Sequence, residues 1–239
     1  MTRLSVNINK YALVRNSRGG NSPDILQIAK DCERFGAQGI TVHPRQDERH
    51  IRYADIAPLK KIVTTEFNIE GFPDGRFMKM VLEICPDQCT LVPDASNQLT
   101  SDHGWDTIKN KEFLTDIVGR LQEKKTRVSL FLNPQENLVR GAREVGTDRI
   151  ELYTGPFAEE FYKNPDKAIA PHIRAAQVAA ELDLGINAGH DLNLDNLKFY
   201  KDHIENLAEV SIGHAIICEA IYMGLETTIK KYLEKLKRG

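Results

Sequence analysis

Nothing in this chain is both long and apolar. No run approaches the roughly 20 residues a bilayer span requires, so the sequence predicts no membrane helix. The opening residues, Met-Thr-Arg-Leu-Ser-Val-Asn, lack the apolar centre of a secretory signal. Charge of one sign is missing as well. The 32 Lys and Arg face 34 Asp and Glu, a net charge of −2, which argues against a nucleic-acid partner and shows no acidic tail. Cysteine is sparse. Cys32, Cys85, Cys89 and Cys218 form no Cys-x-x-Cys pair, so all four read as reduced, mostly buried thiols of a cytoplasmic protein. There is no Gly-x-Gly-x-x-Gly turn for a dinucleotide and no closely spaced histidine pair joined to a carboxylate for a metal hydrolase. No internal repeat or low-complexity linker divides residues 1–239, which therefore read as one domain.

What is present is alternation. Short apolar runs predict strands at Leu4–Ile8, Gly39–Val42, Glu66–Glu70, Gln88–Val92, Arg127–Leu132, Arg149–Tyr153, Leu184–Ala188 and Glu209–Ile212. A helical pattern follows each strand from the second on, at about Tyr53–Thr64, from Asp74-Gly75, at Asp106–Lys124, Pro134–Val145, His172–Leu182 and Asn193–His203, and from His214. The first helix starts at Ser22-Pro23-Asp24, with Ser22 as its cap, and Gly36 ends it. Leu225–Leu236 predicts a last amphipathic helix. Eight strand–helix units in 239 residues predict an α/β fold, a closed (β/α)8 barrel with extra helices.

Barrel enzymes build their sites at the carboxyl ends of the strands. Here the second strand delivers His43, Arg45 and His50, the densest polar cluster in the chain, and cations gathered there suit an anionic small molecule. The first strand ends in Asn7 and Asn9, followed by Lys10. Glu70 and Glu151 alternate with apolar neighbours, so both are expected in the barrel mouth, where burial would raise the pKa and allow a general base. Thr100 and His103 follow the fourth strand, Asn187, His190 and Asp191 the seventh, and Gly213 and His214 the eighth. Gly213 before a helix start fits a phosphate held on backbone N–H groups. Arg15 and Arg18, in the connection after the first strand, either clamp a second phosphate or are surface charges. The stretch from Asp94 to Trp105 is a candidate lid. A divalent ion on His43, Glu70, Glu151 and His190 is the rival reading of the same residues.

These pieces together resemble the pyridoxine 5′-phosphate synthase family. The resemblance is carried by Val6-Asn7-Ile8, Arg15-Asn16-x-Arg18-Gly19, Gly39-Ile-Thr-Val-His43-x-Arg45, Asp47-x-Arg49-His50-Ile51, Asn68-Ile69-Glu70, Leu91-Val92-Pro93, Asn187-Ala-Gly-His190 and Ile212-Gly-His-Ala-Ile216. It implies a cytoplasmic transferase that joins 1-deoxy-D-xylulose 5-phosphate to 3-amino-2-oxopropyl phosphate, releases inorganic phosphate and water, needs no cofactor or metal, and assembles as a homo-octamer. It implies His43 and Glu70 as proton acceptors, His190 as proton donor and Glu151 as the stabilising carboxylate. Asn7, Arg18, Asp191, Gly213 and His214 would contact the amino-ketone phosphate. Asn9, Lys10, Arg45, His50 and Thr100 would contact the sugar phosphate. Three positions depart from the family pattern: Asn9-Lys10 stands where Asp-His is common, Asp191 where Gly is common, and Pro44 where Leu is usual. Ile221, Tyr222 and Leu225 are the exposed apolar positions available for assembly.

Overall fold

The computed structural model of the chain describes residues 1–94 and 101–237. Eight strands pair in parallel, in sequence order, and close on themselves. They are β1 (Arg3–Asn7), β2 (Gly39–Val42), β3 (Glu66–Gly71), β4 (Gln88–Leu91), β5 (Arg127–Leu132), β6 (Arg149–Leu152), β7 (Gly185–Gly189) and β8 (Leu207–Ile212). The closing pair is β8 on β1, with Ser211 opposite Ser5.

The helices follow from local chemistry. α1 (Asn9–Asn16) was not expected: its residues are polar enough to read as a loop, yet Tyr11, Ala12 and Arg15 form a buried face. α2 (Ile25–Arg34) starts two residues later than its Ser-Pro suggests, because the Asp24 carboxylate, not Ser22, accepts the Leu26 N–H. α3 (Tyr53–Ile62) and α4 (Gly75–Ile84) follow, the latter capped by Asp74 accepting from Phe77 N–H at 2.8 Å. α5 (Lys111–Gln122) is shorter than expected, while α6 (Glu136–Val145) turns Leu138, Val139, Ala142 and Val145 inward. After β6 comes α7 (Gly155–Phe161), which was not expected, and then α8 (Pro165–Glu181), which contains the expected His172–Leu182 helix but starts earlier. Pro156 and Pro165 sit in first turns, where a missing N–H costs nothing. Pro171 lies inside α8, so it does not end the connection as its ring suggests. α9 (Leu197–His203), α10 (His214–Met223) and α11 (Leu225–Lys235) complete the chain. No helix among the described residues is long and apolar enough to cross a membrane.

The strands alternate in an unusual sense. Their outward residues, among them Leu4, Val6, Ile40, Val42, Ile69, Leu130, Ile150 and Ile212, are fully buried in the hydrophobic core they form with the helices. Their inward residues are polar, whereas branched aliphatics usually fill such a barrel. The inward placement is fixed by bonds between strands that are not neighbours. Asn187 on β7 donates to Gln88 on β4 at 3.3 Å, and Gln88 donates to Glu209 on β8 at 3.4 Å. A middle tier runs Ser5–Thr41 at 2.7 Å, Asn68 to Thr41 at 3.3 Å and Thr90 to Asn68 at 3.2 Å. Below it, Glu66 pairs with Arg3 at 2.7 Å and with Arg127 at 2.5 Å. Burial and the neighbouring Glu66 push the Glu209 carboxyl up to about 8.

Candidate active site

The carboxyl end of the barrel is built outward from β1–β3. Asn7 closes β1, and its Nδ2 donates to Glu70 Oε2 at 3.3 Å. Its Oδ1 accepts the Asn9 N–H at 3.0 Å, and Asn9 Oδ1 accepts the His43 N–H at 2.9 Å. Two asparagines thus tie the start of α1 to the ends of β2 and β3. Asn9 is 9 % exposed, and its side chain is spent on this tie. His43 is buried, with Nδ1 3.9 Å from Glu70 Oε2.

The electrostatics of this pair follow from its surroundings. Burial, reinforced by the Arg45, His50, Arg49 and His190 charges, holds His43 well below the ordinary histidine range, so the imidazole is neutral. Burial and the Asp94 carboxylate push Glu70 up to about 8, against the pull of Arg45 and the Ser211 hydroxyl. Across the barrel, burial and Glu70 push Glu151 up to about 8, against His190 and Thr90. Glu151 is 4 % exposed, and its Oε2 has no hydrogen-bond partner among the described residues. Both carboxyls therefore lie in the interior, as the alternation of the strands predicts. Two interacting buried carboxyls keep protons that solvent-exposed carboxyls lose near neutrality.

The β2–α3 connection supplies the cations. Arg45 is 9 % exposed and its Nη2 meets Asp94 Oδ2 at 2.6 Å. His50 is buried. Its Nδ1 accepts the Ile51 N–H at 2.9 Å, which leaves the proton on Nε2. Burial, with Arg45 and Lys10 nearby, lowers His50 to about 3. Lys10, half-buried on α1, thus reaches the same side of the rim. Glu48, in the same connection, receives Arg76 and the Tyr53 N–H. His43, Arg45, Tyr53, Phe72, Phe77 and Asp94 line one small pocket here.

β7 and β8 supply the opposite side. His190 has a left-handed backbone, φ 58°, and its Nδ1 lies 2.7 Å from Asp191 Oδ2. Asp191 therefore turns its acid onto the histidine, while its N–H donates to Thr154 Oγ1 at 3.3 Å. Gly213 precedes α10. A Cβ there would stand 2.8 Å from the Asn7 carbonyl oxygen, so glycine is what lets β8 approach the end of β1. His214 begins α10, is exposed, and lies 3.6 Å from Cys218 Sγ.

Several expectations are corrected. Arg15 is neither a phosphate clamp nor a surface charge. It is 2 % exposed, grips Asp55 through two bonds of 2.9 Å and donates to the His50 carbonyl at 3.2 Å. Arg18 is exposed on the turn after α1, with no contact joining it to the rim among the described residues. Asn187 does not sit on the rim: it bonds Arg149 and Gln88 lower in the barrel. His103 is exposed and pairs with Asp102. Only Cys32 and Cys89 are buried, whereas Cys85 and Cys218 are exposed; none of the four is in a disulfide. Ile221 and Tyr222 are exposed as expected, but Leu225 is half-buried against the core. Thr100, and with it much of the Asp94 to Trp105 stretch, lies outside the described residues. No cluster of three or more metal-ligating side chains occurs among the described residues, so His43, Glu70, Glu151 and His190 are not gathered as a divalent site. Asp94 is the site residue that the sequence reading passed over. It lies just past β4 and reaches Arg45 across 49 residues of chain.

Comparison with known proteins bears on the fold and on the family. The closed barrel is shared with phosphoribosylanthranilate isomerase from Thermotoga maritima, at a TM-score of 0.62 and 12 % identity over 99 % of this chain and 98 % of that one. N-(5′-phosphoribosyl)anthranilate isomerase from Pyrococcus furiosus gives 0.60 at 11 % identity, over 99 % of this chain and 98 % of that one. These likenesses concern the fold alone. The chain is 60 % identical to the pyridoxine 5′-phosphate synthase of Cytophaga hutchinsonii, over 100 % of both chains. It is 56 % identical to that of Flavobacterium johnsoniae, over 99 % of this chain and 100 % of the relative. The model of the family described as pyridoxal phosphate biosynthesis protein PdxJ matches residues 4–238, and the chain belongs to that family.

Proposed function

We propose that the chain is a pyridoxine 5′-phosphate synthase of the transferase class. It condenses 1-deoxy-D-xylulose 5-phosphate with 3-amino-2-oxopropyl phosphate and yields pyridoxine 5′-phosphate, inorganic phosphate and water. The observation that carries this reading is one rim holding a neutral histidine, two proton-bearing carboxyls and a helix N-terminus, in a chain similar over its whole length to synthases of that name.

The chemistry fits these groups. An amine and a ketone join as an imine, a phosphate leaves, and the ring closes with loss of water. Every step moves a proton, so acids and bases with pKa values near the working pH are required. Neutral His43 accepts a proton directly. Glu70, pushed up to about 8, accepts one after releasing its own and is matched to neutral pH. His190, steered by Asp191, donates to a leaving oxygen. Glu151, once it has given up its own proton, stabilises the cationic intermediate that an imine passes through. Asn7, Gly213, His214 and the Asp191 backbone receive the amino-ketone phosphate at the start of α10, with Arg18 reaching in from its turn. Lys10, Arg45, His50 through Nε2, and Thr100 receive the sugar phosphate, with Asn9 holding this wall in place. The enzyme works as a single barrel domain without cofactor or metal, in the cytoplasm, as a homo-oligomer of the octameric kind.

The test is incubation of the purified protein with both phosphates, with and without a chelator, following pyridine-ring absorbance and released phosphate. Equal amounts of ring and phosphate, indifferent to chelator, are expected. Loss of turnover on chelation would instead favour a metal-dependent sugar-phosphate isomerase. Tight binding without product would favour a phosphate-ligand binding protein.

A further inference from the structure

Arg45 faces the barrel mouth with a partner already attached. Its Nη2 lies 2.6 Å from Asp94 Oδ2, and the Ser101 hydroxyl donates to the same oxygen at 2.6 Å. Asp94 is 4 % exposed and Arg45 9 %, so the pair is shielded from water. Asp94 Oδ1 is buried with no partner among the described residues. A carboxylate with one oxygen doubly bonded and the other bare is not optimised for its own stability. It is placed where it is for the guanidinium. Asp94 and Arg45 both line the pocket that His43 enters.

We propose that Asp94 is a positioning residue of this site: it aims the Arg45 guanidinium at the incoming sugar phosphate and balances its charge, so that Glu70 does not face a bare cation. The proposal rests on the synthase reading above and deepens it. A shielded, bidentate-capable arginine held by one fixed acid keeps its orientation while the site is empty, which lowers the ordering cost of binding. The same acid acts on Glu70. After burial, Asp94 is the strongest influence raising Glu70, and Arg45 the strongest opposing it.

The other groups facing Glu70 do not substitute for Asp94. From β2 comes neutral His43, and from β1 the Asn7 amide, which carries no charge. Glu151 on β6 and Glu209 on β8 are pushed up to about 8 themselves and carry little charge at neutral pH. Ser211 contributes only a hydroxyl, and the Cys89 thiol on β4 is pushed up by burial and stays neutral.

The experiment compares wild type with Asp94→Asn, Asp94→Glu and Ser101→Ala. The carboxylic-acid infrared band of Glu70, assigned by its absence in Glu70→Gln, is titrated first and needs no turnover. In Asp94→Asn its midpoint falls by about one unit, the scale of one close charge. In turnover, the acidic limb of the kcat/KM profile moves down with it. KM for the sugar phosphate rises about tenfold, the scale of one charge-assisted hydrogen bond, while KM for the amino ketone is unchanged. Asp94→Glu restores the limb. Ser101→Ala gives the same changes at smaller size and carries the test if Asp94→Asn fails to fold. An unmoved Glu70 midpoint, or equal rises in both KM values, would overturn the proposal. An inactive wild type whose Glu70 midpoint still moves in Asp94→Asn would overturn the synthase reading and leave the Asp94–Glu70 coupling standing.

Discussion

His43 Nδ1 stands 3.9 Å from Glu70 Oε2, inside a barrel whose inward face is mostly polar. His43 is buried and Glu70 mostly so, and the loss of water acts on them in opposite directions. It strips the proton from the histidine and keeps one on the carboxyl. The pair is therefore uncharged at rest, with one acceptor and one donor in reach of the same substrate.

Glu70→Gln keeps the shape of the side chain and removes its proton chemistry. Turnover should fall by about 10²–10⁴, the usual contribution of one general acid–base group. KM values should move little, because the Asn7 contact accepts an amide. Steady-state kinetics on both substrates checks this.

The pH dependence has a definite sign for activity. Glu70 acts as an acceptor only when unprotonated, and its value lies near 8. The kcat/KM profile should rise with pH towards 8 and lose that limb in Glu70→Gln. A profile flat from pH 6 to 8 in wild type would contradict the assignment.

Stability should run the other way. Glu70, Glu151 and Glu209 are raised from 4.5 to about 8, so the stability linked to their protons is full below 4.5 and is lost as pH rises through 8. His50 and His172 are lowered from 6.5 to about 3 and about 4, so their share is full above 6.5 and is lost as pH falls through those values. Urea midpoints should carry a carboxyl share that declines as pH rises from about 4.5 to about 8, less steeply in Glu151→Gln. They should also decline below 6.5, less steeply in His172→Phe.

Arg15 tests the corrected assignment in α1. Arg15→Ala strands Asp55 and the His50 carbonyl and should cost about 3–5 kcal/mol, as breaking a buried ion pair does. Thermal unfolding reads the loss. If Arg15 were instead a phosphate clamp, stability would hold and only KM would rise.

Thiol labelling separates the cysteines. A disulfide reagent should react with Cys85 and Cys218 in the folded protein, and with Cys32 and Cys89 only after denaturation. Burial raises both buried thiols, Cys32 to about 12.

Much of this was legible in the chain. Strands β2 and β5 have their expected bounds, because each is a short stretch rich in branched and aromatic residues ended by polar residues or a turn. Glu70 and Glu151 were legible because each sits one residue out of phase with its apolar neighbours. The same alternation runs through Ser5, Thr41, Asn68, Thr90 and Ser211, yet it was not read as a polar interior, since serine and threonine in a strand usually signal exposure. α1 was hidden because its buried face includes an arginine, which sequence patterns count as surface. α7 and the first turns of α8, ahead of the expected His172 start, are obscured by prolines that read as breaks but lie mainly in first turns. Asp94 was hidden because its partner, Arg45, is 49 residues away, a distance that spacing rules do not cross.

The most direct test of the central claim is ring formation by wild type and by Glu70→Gln, measured on the same two phosphates at pH 8. The account predicts product and phosphate in equal amounts from wild type and almost none from a folded Glu70→Gln. Equal turnover by the two proteins would contradict it.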